Sequence, residues 1–80
     1  MKALVAHIAK GLCSHPESVT IEETESPDGG LALTLRVHQG DLPAIIGRNG
    51  RIIRAIRALM AIRAAKCGVK ATLSLDSGEG

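Results

Sequence analysis

Gly47-Arg48-Asn49-Gly50 sets two glycines three positions apart, with one arginine inside the pair and Arg51 and Arg54 directly after it. Residue types at this spacing suit the reception of an anion. The apolar pair Ile45-Ile46 precedes the glycines and Ile52-Ile53 follows them, so a loop is held between two segments with reason to be buried. Beyond Gly50 the pattern is that of a long helix. The first N–H groups of a helix have no intrahelical partner and its dipole favours negative charge at that end, so the junction can take a phosphate. Glycine adds positive φ angles and leaves no Cβ to hold a phosphodiester away. The plainer alternative is a helix–turn–helix with glycine stops. A P-loop is excluded, because the two glycines are too close together and no Lys-Ser/Thr follows.

The other chemistry-bearing residues offer less. His7, His15 and His38 have no nucleophile, carboxylate or second ligand at useful spacing, and Cys13 with His15 makes a weak pair, so neither an enzyme nor a metal or cofactor site is expected. Cys13 and Cys67 match no CxxC or zinc spacing and read as reduced, semi-buried thiols. With 80 residues, a single domain over 1–80 is expected, able to bury only about 60–65% of its unfolded surface, which leaves little room for a catalytic cleft. There is no Phe, Tyr or Trp, so the core must come from Leu, Ile, Val, Met and Ala, and stacking of bases on aromatic rings is ruled out. The net charge of +2 hides a segregation. From Arg36 to Lys70 there are eight basic residues against Asp41 alone, whereas Glu17 to Asp28 carries only acids. One surface should be positive and another negative. No signal peptide or membrane span is read, and the expected location is the cytoplasm.

The elements that must position the loop follow from periodicity. Leu4, Val5, Ile8 and Leu12 recur at helical spacing from Met1 to Cys13, and Ser14-His15-Pro16 should end that helix. Ser18 to Glu25 alternates, Ser26-Pro27-Asp28-Gly29-Gly30 supplies turn residues, and Leu31, Leu33, Leu35 and Val37 recur at period two, which together predict a hairpin. Asp41 should cap a brief helix through Ile46, with Pro43 in its first turn and Gly47 stopping it in a left-handed conformation. A long helix is predicted from about Arg51 to Cys67, ended by Gly68, with Ile53, Ile56, Met60 and Ala64 as its core stripe and Ile52 and Leu59 flanking it. Val69 to Leu75 alternates as a last strand, and residues 76–80 should form a polar tail. The order is α-β-β-α-α-β. If the second and third strands are neighbours they should run parallel, giving an α+β fold with a three-stranded mixed sheet and helices packed on one face.

With that order in place, Ile-Ile-Gly-Arg-Asn-Gly-Arg-Ile-Ile between a short and a long helix resembles the GXXG signature of KH domains. The arrangement is similar to the type II KH fold. The opening helix with Ile8-Ala9-Lys10, the Pro16 break, the acidic first strand, Arg54-Ala55-Ile56-Arg57 and the closing strand resemble the small stand-alone bacterial KH proteins of the KhpA type. The resemblance implies single-stranded RNA binding, a role as RNA chaperone or regulator, and pairing as a homodimer or with a larger Jag/KhpB-type KH protein. It further implies a clamp on about four nucleotides formed by Gly47, Arg48, Asn49 and Gly50. Arg51 and Arg54 would extend the positive edge, and Ile45, Ile46 and the hairpin's second strand would wall an apolar groove. Arg48 stands where a lysine is common in this family, and Arg54 where many relatives carry a smaller residue.

Two further readings concern the long helix. Arg57 and Arg63 lie beyond its first turn and read as solvated or paired charges rather than RNA ligands. Ala55, Ala58, Ile62 and Ala65 share the face away from the core, so a large aliphatic sits in a strip of small residues and suggests a dimer or partner interface. A protein-interaction adaptor with incidental RNA binding is the competing function.

Overall fold

The computed structural model describes residues 1–77. Helix α1 spans Lys2–Leu12, strands β1 and β2 span Thr20–Glu25 and Leu31–Val37, helices α2 and α3 span Leu42–Ile46 and Arg51–Cys67, and β3 spans Ala71–Ser77. The sheet order is β1-β2-β3, antiparallel between β1 and β2 and parallel between β2 and β3. This is the mixed α+β arrangement expected from the order of elements, with β2 in the centre. Leu33, Leu35 and Val37 of β2 face the helices and meet Val5 and Ala9 of α1, Ile45 of α2 and Ile53, Ile56 and Met60 of α3 in one aliphatic core. Each large side chain fully buried there contributes about 1.5–3 kcal/mol relative to exposure. The predicted stripe of α3 is the buried one, Ala64 included.

The element ends differ from the sequence reading where a backbone N–H is already engaged. Strand β1 begins at Thr20 rather than Ser18, because a short turn over Pro16–Ser18 takes the Ser18 and Val19 N–H groups, which donate to His15 O at 3.0 Å and Pro16 O at 3.2 Å. Strand β3 begins at Ala71 rather than Val69. Gly68 is left-handed (φ 73, ψ 26), its N–H donates to Ala65 O, and the Val69 N–H donates to Ala64 O at 3.0 Å, closing α3 in a Schellman arrangement. The predicted tail is also shortened, since Asp76 and Ser77 continue β3 opposite Arg36 and Val37. Arg36 reaches Glu22 on one side (Nη1 to Oε1, 3.2 Å) and Asp76 on the other (Nε to Oδ2, 3.4 Å), linking all three strands on the face the helices leave open. Half-exposed pairs of this kind are worth less than about 1 kcal/mol each, so they select the register of β3 more than they stabilise the fold. The rest of the predicted tail, residues 78–80, lies outside the described residues.

Asp41 is the largest departure from the local reading. Expected to cap α2, it makes no side-chain bond to that helix and is 4% exposed. Its Oδ1 accepts from the Ser14 N–H at 3.0 Å, its Oδ2 accepts from the His15 N–H at 2.9 Å, and His15 Nδ1 lies 3.3 Å from Oδ2. The carboxylate therefore satisfies the chain leaving α1 while sitting at the entry to α2, six residues before the glycine loop begins at Gly47. These bonds, led by the one from Ser14 and joined by those from the His15 backbone and ring, hold its pKa below the usual carboxylate range against the opposing effect of burial. His15 and His38 stack with ring centroids 4.0 Å apart, and His38 Nδ1 accepts from the Gly40 N–H at 3.0 Å, so two of the three histidines serve the same junction. Nearby, burial pushes the Cys13 thiol pKa up and Asp41 adds to the shift, which disfavours a reactive thiolate.

Candidate nucleic-acid interface

The loop between α2 and α3 has positive φ at Gly47 (φ 75, ψ 173), Asn49 (φ 57, ψ 26) and Gly50 (φ 74, ψ 17). Gly47 ends α2 as expected, but in an extended positive-φ conformation rather than the left-handed one. A Cβ there would lie 2.3 Å from Cγ1 and 2.9 Å from the backbone N of Ile52, so the first turn of α3 fills the space a side chain would need. Gly50 is different: the nearest atom to its added Cβ is 3.9 Å away, and only its φ calls for glycine. Asn49 takes the left-handed conformation that asparagine tolerates better than most residues. Asparagine thus suits the backbone at this clamp position, and the Asn-Gly pair is a turn signal.

Hydrogen bonds make the loop a preformed turn. The Gly47 N–H closes α2 on Pro43 O at 2.9 Å, the Gly50 N–H donates to Gly47 O at 3.1 Å, and the Arg51 N–H donates to Arg48 O. The N–H groups of Arg48 and Asn49 lie outside those two turns. Arg48 and Arg51 are exposed, and among the described residues their side chains form no hydrogen bond or ion pair. Arg54 behaves otherwise: its Nε donates to Gly50 O at 3.2 Å and its Nη2 to Asn49 O at 2.7 Å.

Of the predicted apolar wall, Ile46 is available at 39% exposure but Ile45 is not, being fully buried in the core. The hairpin's second strand is not available either. It is the central strand, and its apolar face lies under the helices. An open cleft of about 260 Å³ lies between α3 and the edge strand β3, lined by Arg57, Met60, Ala71, Thr72 and Leu73. Arg57, exposed on α3, donates through Nη2 to Leu73 O at 3.3 Å across this cleft. The expected charge segregation maps onto the structure, with Glu22, Glu23 and Glu25 exposed on the β1 edge and Arg48, Arg51 and Arg54 exposed around the start of α3. Along the flank of α3, Ala55, Ala58 and Ile62 are exposed as read. Leu59, expected to flank the core, is 47% exposed and joins Ile62, at 59%, in one aliphatic strip. Among the described residues no group of three His, Cys, Asp or Glu converges to hold a metal ion.

A helix, a hairpin, a short helix, a glycine-bounded loop, a long helix and a parallel edge strand, with exposed arginines at the loop that have no partner among the described residues, define a KH domain of type II. The model of the KhpA/KhpB KH domain matches residues 2–75. Similar proteins include the RNA-binding protein KhpA of Chlamydia muridarum, 37% identical over 75 residues that cover 94% of this chain and 95% of the relative. That of Halalkalibacterium halodurans is 40% identical over 67 residues, 82% and 86% of the two chains. That of Treponema pallidum is 45% identical over 62 residues, 76% and 75%. The chain belongs to the KhpA/KhpB family of KH domains.

Proposed function

We propose that the chain is a non-enzymatic, cytoplasmic single-stranded RNA-binding protein that acts as an RNA chaperone or regulator. The observation that carries this reading is the preformed loop at Gly47–Gly50, held at Gly47 by close packing on Ile52, with exposed Arg48 and Arg51 that have no protein partner among the described residues. A phosphodiester placed against the loop would meet the Arg48 and Asn49 N–H groups and the positive end of α3. The adjoining bases would lie past Ile46 along the cleft between α3 and β3. The names of the curated relatives, which call them RNA-binding, support the same assignment. In a fluorescence-anisotropy titration with mixed-sequence single-stranded RNA, affinity should fall with salt at a log–log slope of about −1.4, the value for two engaged cations. Binding that ignores salt contradicts the clamp, and no binding at any salt favours the adaptor function.

A site of about four nucleotides without aromatic stacking is weak. Joining two sites raises effective concentration, so we assign the strip of Ala55, Ala58, Leu59 and Ile62 to pairing with a second copy or with a larger Jag/KhpB-type KH protein. In sedimentation velocity the parent should run as a dimer and Ile62→Glu as a monomer. The variant should also bind RNAs long enough to span two sites about tenfold or more weakly. If the parent is dimeric, a variant that keeps its mass distribution rejects this face.

A further inference from the structure

Arg54 was expected to extend the positive edge toward RNA, but its guanidinium turns back onto the loop. The trans peptide bond points C=O and N–H in opposite directions, so each peptide group can be held at two ends. In the Asn49–Gly50 peptide the N–H donates to Gly47 O while the carbonyl accepts from Arg54 Nη2 at 2.7 Å. In the Gly50–Arg51 peptide the N–H donates to Arg48 O while the carbonyl accepts from Arg54 Nε at 3.2 Å. Two successive peptide groups are therefore pinned at both ends, and they are the ones set by the left-handed pair Asn49 and Gly50. A lysine could not reproduce this, because it lacks the planar fork whose Nε–H and Nη2–H address two carbonyls together.

We propose that Arg54 is a positioning residue that locks the Gly47–Gly50 loop in its anion-receiving conformation, and is not itself a phosphate ligand. The proposal rests on the RNA-binding reading above. Its action is preorganisation: the loop need not be ordered when RNA arrives, so a braced loop binds more tightly without a further contact. Because the side chain is exposed and outside the core, its replacement tests the loop rather than the fold.

The test compares the parent with Arg54→Lys, Arg54→Met and Arg48→Met, each titrated with a mixed-sequence single-stranded RNA over a range of salt. Both Arg54 variants should weaken binding by about threefold to tenfold, the effect of one to two exposed hydrogen bonds, with the salt slope of Arg54→Met kept at the parent's value. Arg48→Met should instead reduce the slope by about 0.7, as loss of one phosphate contact requires. A parent-like Arg54→Lys together with a slope reduced by about 0.7 in Arg54→Met makes Arg54 a direct phosphate ligand and overturns the proposal. Parent-like binding by both variants overturns it as well. Amide hydrogen exchange needs no RNA and separates the two readings: Gly50 and Arg51 should exchange faster in Arg54→Met than in the parent. Unchanged exchange refutes the brace even where RNA binds, and accelerated exchange with no RNA bound by the parent refutes the RNA reading while leaving the brace in place.

Discussion

Gly47→Ala is expected to lower the free energy of unfolding by about 3–5 kcal/mol, the sum of placing a non-glycine residue in a conformation essentially reserved for glycine and of overpacking against a fixed neighbour. The first contribution comes from φ 75 with ψ 173. The second comes from the approach of the new Cβ to Ile52 Cγ1 at 2.3 Å, Cβ at 2.8 Å and backbone N at 2.9 Å. A rotamer change can move the first of these atoms but not the other two, so α2 and α3 would have to separate. A domain of this length has roughly 4–12 kcal/mol in all, so the variant should be marginal and is best measured by urea denaturation in the cold. Gly50→Ala is the control. It has the same sign of φ but no close neighbour, and should cost only about 1–2 kcal/mol. Equal losses for the two variants would show that Ile52 does not confine the loop.

The second large effect is at Asp41. Asp41→Asn keeps the size of the side chain but presents at best one acceptor to two N–H groups, with an NH₂ facing the other donor. The midpoint of thermal unfolding should fall on the order of 10 °C. The deficit should depend on pH. The carboxylate's pKa is depressed in the folded state, first by the Ser14 N–H and then by His15. Its contribution is therefore fully present above the unfolded pKa of about 3.9 and is lost as pH falls below that through the folded value. The gap between parent and Asp41→Asn should accordingly be constant near neutrality and close in acid. Asp28, also depressed, by the Ser26 hydroxyl and the Gly30 N–H, is present in both proteins, so it shapes each acid limb without affecting the difference. A gap that stays constant down to about pH 3 would show that the buried carboxylate is not what ties α1 to α2.

The elements were legible because each has a local cause. The stripe of Ile53, Ile56, Met60 and Ala64 sits at helical period, the β2 leucines alternate, and Gly68 and the Ser26–Gly30 turn punctuate the chain, so the core and strand order follow from spacing. The glycine loop was legible for the same reason. Longer-range polar contacts were not. Asp41 looked like a helix cap because its partners, Ser14 and His15, are 26 to 27 residues away, and no spacing rule reaches that far. Ile45 and Ile46 are adjacent and identical, yet one is fully buried and the other 39% exposed, a distinction that depends on where α2 meets the core. Alternation identifies an apolar face without telling which strand is central, so it points to β2, whereas the cleft open to solvent lies at the edge strand β3. Arg54 sits four residues from Gly50 and five from Asn49, a spacing that allows its bonds to both carbonyls, but residue type alone does not distinguish a cation that contacts an anion from one that contacts the loop.

The central claim, that Gly47 to Gly50 grip RNA, is tested most directly by Arg48→Asp with Asn49→Asp, measured against mixed-sequence single-stranded RNA at fixed moderate salt. Aspartate tolerates the left-handed conformation of Asn49 nearly as well as asparagine, and Arg48 is exposed, so the fold should persist and thermal unfolding should stay close to the parent's. The loop would then present two negative charges to the phosphate. The account predicts that binding falls by about a hundredfold or more, to the limit of detection. Binding equal to the parent's, by a double variant that unfolds at the parent's temperature, would contradict it.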